Sequence, residues 1–238
     1  MNGIVKLAKL IVGGTALIEG IGALLLSFRF IPLFGPLKGT FYSIFHAVSA
    51  FCNAGFDLMG QFGEYSSLSY FTTDIYINVV IMSLITIGAI GFIVWKDVVT
   101  NKWHFRKYSL HSKIVLSMTF WVLTITTVLF MIFEWNNTMA DMTVGEKIIA
   151  SMFSSVTART AGFNTVDTGA LRDCSKMLTV FLMFLGGSPG STAGGIKTTT
   201  ILVVFLYLWS NLRNSSGVNI YKRRLDDETI KKASLVFY

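Results

Sequence analysis

The stretch Ala50–Gly60 reads A-F-C-N-A-G-F-D-L-M-G, and 107 positions later Thr157–Asp167 reads T-A-R-T-A-G-F-N-T-V-D. Adding 107 to Ala54, Gly55, Phe56 and Asp57 gives Ala161, Gly162, Phe163 and Asn164. An offset match of this kind marks an internal repeat. The flanks agree, because each motif follows a segment of small and apolar residues and lies between long apolar runs. The pattern predicts two copies of helix, short helix, irregular polar loop, helix.

Composition puts these copies in a membrane. Of 238 residues, 53% are hydrophobic and 14% charged, whereas soluble domains run at about one quarter charged. The fold class expected is therefore an all-α multi-pass membrane protein. The net charge of +7 is distributed unevenly. Residues 1–9, 96–113 and 210–232 carry 13 of the 20 Lys and Arg, while 27–74 and 134–176 carry six against eight Asp and Glu. The positive-inside rule then places the N-terminus, the 96–113 loop and the C-terminal segment in the cytoplasm. A nucleic-acid-binding face would leave this alternation unexplained, so no nucleic-acid partner is expected. Cys52 and Cys174 make no disulfide framework, and no cleavable signal peptide is evident.

In the first copy, Leu10–Phe28 is apolar with four glycines and one charge, Glu19. It is long enough to span nearly all of a roughly 30 Å hydrocarbon core. A carboxylate in lipid is costly, so Glu19 should face protein or a polar cavity. Pro32, Gly35 and Pro36 break the pattern. Gly39–Ser49 is too short to span and reads as a core or reentrant helix, with His46 as a packed polar residue. Phe71–Trp95 reads as the next span, with Gly88 and Gly91 near its inner end. Lys96–Lys113 is a basic connection with Trp103 and Tyr108 at the interface. The second copy runs through Ile114–Phe133, an outer turn at Glu134–Thr143, and a short helix at Val144–Thr157.

Met177–Trp209 is 33 residues long; as one straight helix it would measure roughly 50 Å, too long for the bilayer core. Its middle reads Gly186-Gly187-Ser188-Pro189-Gly190-Ser191-Thr192-Ala193-Gly194-Gly195, then Ile196 and Lys197. Five glycines and a proline oppose helix, which predicts helix at 177–185, loop at 186–195 and helix at 196–209. Broken backbone at membrane depth is tolerated only against protein or a water-filled cavity. A phosphate-binding loop fits less well, because Ile196 interrupts the spacing before Lys197. Tyr221–Lys232 reads as a charged helical surface stretch, and Ala233–Tyr238 as the opening of a further span.

Two reentrant loops can present backbone carbonyls to a narrow passage and replace the water shell of a cation. The candidate carbonyl ligands are Asn53, Ala54, Gly55 and Phe56, with Thr160, Ala161, Gly162 and Phe163. Gly55 and Gly162 permit backbone shapes closed to other residues. Asp57 adds negative potential at the outer mouth, and Asn164 takes the matched place. Phe56 and Phe163 read as buttresses. Arg159 reads as the partner of a carboxylate from another segment.

The strings F-C-N-A-G-F-D-L, T-A-R-T-A-G-F-N-T-V-D and G-G-S-P-G-S-T-A-G-G-I-K-T-T-T, in this order, resemble the bacterial Ktr/Trk potassium-uptake transporter family, and within it the sodium-dependent KtrB-type membrane subunit. The resemblance covers essentially the whole chain. It implies repeats of helix, pore helix, filter loop and helix around one pore, with Gly55 and Gly162 as the central filter glycines. Residues 186–195 would be an intramembrane gating loop flanked by Lys197. It further implies potassium as the transported ion, sodium as an activator, a membrane homodimer in the bacterial cell membrane, and a cytoplasmic ring of regulatory subunits through which ATP or ADP acts. Only two copies are present, resembling the second and third of four repeats, so a family-like pore would need the first and fourth as well.

The copies divide the chain into 1–95, a linker at 96–113, a second unit at 114–209 and a charged segment at 210–238. Other functions stay open on these residues. A secondary transporter of a different class would also carry repeats and discontinuous helices, though it would not explain the recurrence of Ala-Gly-Phe after two short helices. A non-transporting remnant fits the number of copies. An enzyme is not expected, since His46, His104 and His111 have no acidic partners or activated nucleophile to work with.

Overall fold

The computed structural model describes residues 2–64, 66–102, 104–213, 219–220, 223–224, 230, 232–233 and 235. Its first helix, α1 (Asn2–Phe34), outruns the apolar stretch expected at Leu10–Phe28 and continues through Pro32. A proline two residues from the end removes one late backbone bond, which a helix tolerates. The chain turns instead at Gly35, where φ is 82°, and Pro36 opens α2 (Pro36–Phe51), since a fixed φ and a missing N–H suit the first helical position.

The apolar stretch expected to cross as one span at Phe71–Trp95 is two helices, α3 (Ile75–Ile90) and α4 (Phe92–Asn101), bent by 97° at Gly91. One close contact and one left-handed residue mark the break. The carbonyl of Phe51 lies so close to Gly88 that a Cβ there would sit 2.1 Å from its oxygen, and Gly91 has φ 96°, a left-handed backbone. Asp74 caps α3 through Ile77 N at 3.1 Å and pairs with Arg29 at 3.6 Å.

The second copy repeats this order: α5 (Leu110–Glu134), α6 (Val144–Thr157), α7 (Asp173–Phe184) and α8 (Thr198–Leu212). Here the last span is broken as expected, though α7 starts before Met177 and the break covers 185–197 rather than 186–195. The two breaks correspond, because Gly91 plus 107 is position 198, where α8 begins. What is one residue in the first copy is a long loop in the second. Short helix α6 begins with a capping box between Thr143 and Glu146, visible in sequence as Thr-x-x-Glu.

Glu134, fully buried at the end of α5, ties the turn after α5 to the start of α7. One carboxylate oxygen accepts from Arg172 N (3.0 Å) and Ser175 Oγ (2.5 Å) at the start of α7. The other accepts from Asn137 Nδ2 (2.7 Å) and Thr138 Oγ1 (2.9 Å). Losing the acceptor leaves these neutral donors unpaired, and one such buried group costs about 1–3 kcal/mol, so Glu134→Ala is expected to lower the melting temperature of the detergent-solubilised protein clearly, and Glu134→Gln by less. Equal melting temperatures for wild type and Glu134→Ala would refute this assignment.

The copies share one core. Leu26, Phe30, Ile81 and Ile85 of the first pack with Phe153 and Phe163 of the second. Lipid tails are as apolar as these side chains, so the benefit is close packing rather than exclusion of water. Asn219–Ile220 pairs antiparallel with Arg223–Arg224, which corrects the helical reading at 223–224. Residues 225–229, and Trp103 at the interface, lie outside the described residues.

Candidate functional site

The two short helices end on the two motif loops. The C-cap of α2 is Cys52 and that of α6 is Ala158. A helix C-terminus carries roughly half a negative charge, which favours a cation nearby. Beyond each helix the backbone alternates in hand. Asn53 (φ 51°) and Gly55 (φ 71°) are left-handed with Ala54 between them, and Thr160 (φ 68°) and Gly162 (φ 91°) flank Ala161. The loops are pinned alike, Ser49 Oγ donating to Phe56 O at 2.7 Å and Thr157 Oγ1 to Phe163 O at 2.5 Å.

The structure brings the two loops together, backbone against backbone. A Cβ on Gly55 would lie 2.5 Å from Ala161 O and 2.7 Å from Gly162 Cα, and one on Gly162 would lie 3.1 Å from Gly55 Cα. Only glycine allows this approach. Asp57 accepts from Met59 N at 2.9 Å in a local turn. Asn164 is bound to the first copy through Ser67 Oγ (3.1 Å) and Leu68 N (2.9 Å). Phe163 is fully buried and packs near His46, whereas 70% of Phe56 is exposed on this chain. His46 is structural, its Nδ1 facing Tyr42 O (2.7 Å) and its Nε2 accepting from Leu58 N (3.3 Å). The two cysteines are free, and Cys52 Sγ faces Glu19 Oε1 at 3.8 Å.

The glycine-rich loop lies against both motif loops and against the bend at Gly91. Arg159, almost wholly buried, donates from Nη2 to Gly186 O at 3.1 Å; no carboxylate partner for it is present among the described residues, which corrects the ion pair expected for it. Gly187 N donates to Gly194 O at 3.1 Å and closes the loop on itself. Lys197 Nζ donates to Ala193 O at 2.8 Å. Three backbone bonds seat the loop on the α3–α4 break: Ser188 N to Ala89 O (3.1 Å), Thr192 N to Gly88 O (3.3 Å) and Phe92 N to Gly190 O (2.9 Å). Pro189 O also approaches, 2.9 Å from where a Cβ on Gly91 would stand. The sequence reading missed this seat; its one signal was the pair Gly88 and Gly91, three apart in an apolar run.

Of the ten buried polar side-chain atoms without a partner among the described residues, five belong to the motif loops, the glycine-rich loop or the start of α8: Asn53 Oδ1, Arg159 Nε, Ser188 Oγ, Ser191 Oγ and Thr198 Oγ1. Such groups are rare in packed interiors and mark polar sites. The arrangement offers carbonyls, helix C-termini and a polar loop.

A family model described as "TrkH: Cation transport protein" matches residues 3–237. The chain is 40% identical over 239 residues to the Potassium/sodium uptake protein NtpJ of Enterococcus hirae, covering 100% of this chain and 52% of that protein. It is 38% identical to the Ktr system potassium uptake protein B of Bacillus subtilis, covering 99% and 52%. The crystal structure of the potassium transporter TrkH from Vibrio parahaemolyticus superposes with TM-score 0.78 at 19% identity, over 100% of this chain and 49% of that one, a likeness of fold. The chain thus spans about half the length of the curated relatives it matches. With its twin loops, its broken helices and a match over nearly its whole length, the chain belongs to the TrkH cation transport protein family.

Proposed function

We propose that this chain supplies two strands of a potassium-selective pore in a bacterial cell membrane. The observation that carries the proposal is the pair of left-handed loops, in register at an offset of 107, held backbone to backbone at the C-termini of two short helices. A cation entering such a site loses water and gains carbonyl oxygens at fixed spacing. Asn53–Phe56 and Thr160–Phe163 supply those oxygens, Asp57 and Asn164 stand at the outer mouth, and transport runs down the electrochemical gradient. Potassium as the ion follows the names of the relatives. Two further strands complete the filter, as in the four-repeat architecture that the resemblance implies.

The loop 186–195, with Lys197 beside it, is the gate, lying where the filter strands begin. Residues 1–95 and 114–209 are the two pore-loop repeats, and the basic linker 96–113 faces the cytoplasm by its charge. There it would meet a nucleotide-binding ring subunit. Sodium as activator and assembly as a homodimer complete the proposed system.

The test is a chimera in which this chain replaces the matching half of the Bacillus subtilis protein. It is expressed with its ring subunit in a bacterium deficient in potassium uptake. Growth at low potassium, lost in Gly162→Ser, is the expected result. A chimera that inserts and assembles yet restores no potassium uptake would overturn the proposal.

A further inference from the structure

Asn53 and Thr160 are equivalent residues, since 53 plus 107 is 160, and both are left-handed, with φ 51° and 68°. Asparagine tolerates this hand, but a β-branched residue rarely adopts it. An outlier like Thr160 persists only where its surroundings hold it, and such residues gather at working parts of proteins. Both side chains bond to one element. Asn53 Nδ2 donates to Thr192 Oγ1 at 2.8 Å, and that hydroxyl donates onward to Phe51 O at 2.9 Å. Thr160 Oγ1 accepts from Gly194 N at 2.9 Å. Each copy therefore holds a different part of the glycine-rich loop from the first left-handed residue of its own motif. The polar set around these bonds is incompletely satisfied, with Asn53 Oδ1 and Ser191 Oγ among the buried atoms that lack partners. Partly satisfied buried networks hold less firmly than complete ones, as suits an element that must let go.

We infer that Asn53 and Thr160 are a matched latch, one from each copy, positioning the loop 186–195 beneath the filter. Opening breaks both bonds at once and frees the residues at which the two filter strands begin, so gate and filter are linked through these side chains. This deepens the pore reading and rests on it.

The test uses the intact chain within the chimeric assembly, in liposomes, with rubidium flux as the readout. Asn53→Gly and Thr160→Gly remove the side-chain bonds yet suit the left-handed backbone, so folded protein is expected, with Thr160→Gly at least as heat-stable as wild type. Each should raise flux about 2- to 10-fold, the equivalent of one net hydrogen bond. Thr192→Val should do the same, and adding Asn53→Gly to it should give no further increase, because both remove one shared bond. Thr192→Ser keeps the hydroxyl and should stay near the wild-type rate. Unchanged or lower flux in both glycine variants, or multiplicative effects of Asn53→Gly and Thr192→Val, overturns the latch. So does a Thr160→Gly protein that loses flux and heat stability together, because Thr160 would then only support the fold. Excision of 188–193 in the same assembly separates the two levels. Raised flux there with inert glycine variants rejects the latch and leaves the pore reading standing; no change on excision rejects the gate and the latch together.

Discussion

Gly55→Ser and Gly162→Ser are expected to cost the pore its discrimination between potassium and sodium, and Gly55→Ser more severely. Both positions are left-handed, with φ 71° and 91°, where any side chain adds about 1–2 kcal/mol of strain. They differ in what the new atom meets. At position 55 it would stand 2.5 Å from a carbonyl oxygen and 2.7 Å from the partner glycine's Cα, whereas at 162 the nearest atom is 3.1 Å away. Neither neighbour is a flexible side-chain end, so relief must come from backbone movement in both strands. Carbonyl selectivity depends on their number, spacing and field. A displacement that narrows the preference by about 1.4 kcal/mol lowers the ratio tenfold, and a change of at least that order is expected for Gly55→Ser. Rubidium and sodium uptake by the chimera, compared at equal expression, measures it. Unchanged ratios in both variants would remove the filter assignment, and a larger effect at 162 would contradict the contact geometry.

Excising residues 188–193 is expected to raise flux several-fold while the protein still folds. The ends to be joined are already neighbours, because Gly187 N and Gly194 O are hydrogen-bonded at 3.1 Å and Leu185 bridges Ile196. Closing the chain there leaves α7 and α8 where they are. What is lost is most of the loop proposed as the gate, together with the three backbone bonds to the α3–α4 break and the bonds through Thr192. Broken backbone beside a water-filled cavity can be solvated, so these losses need not unfold the protein. Unchanged or abolished flux in a folded variant would reject the gate.

Much of this was legible in the sequence. The matching motif copies, the short helix at Val144–Thr157 and the broken last span follow from composition and period, because glycine, proline and apolar runs act locally. The bend at Gly91 was hidden, since a one-residue break leaves hydropathy unchanged and Phe71–Trp95 still scans as a single span. The contacts that surround it come from far along the chain, the Phe51 carbonyl 37 positions from Gly88 and Gly190 98 positions from Phe92. Asn53 and Thr192 are 139 positions apart, so their bond left no local trace. Arg159 misled for a related reason: its charge beside the second loop suggested a carboxylate from another segment, and the backbone oxygen of Gly186 supplied the acceptor. Phe56 and Phe163 look alike in sequence, but only Phe163 lies between the two copies, where it packs against the core.

The bend at Gly91 also gives the molecule a lever. Helix α4 leaves α3 at 97° and holds 10 residues, so at 1.5 Å per residue it is an arm of roughly 15 Å. Its pivot lies at the bond from Phe92 N to Gly190 O, and its far half is tied to the start of α5, where Asp97 Oδ2 accepts from Ser109 N at 3.0 Å and Ser112 Oγ at 2.6 Å. A swing of about 10° at the pivot sweeps the far end through roughly 2.6 Å for an arm of this length. Read in reverse, a push of a few ångströms at Asn101 would become a fine twist at the glycine-rich loop, delivered with mechanical advantage at the element proposed as the gate.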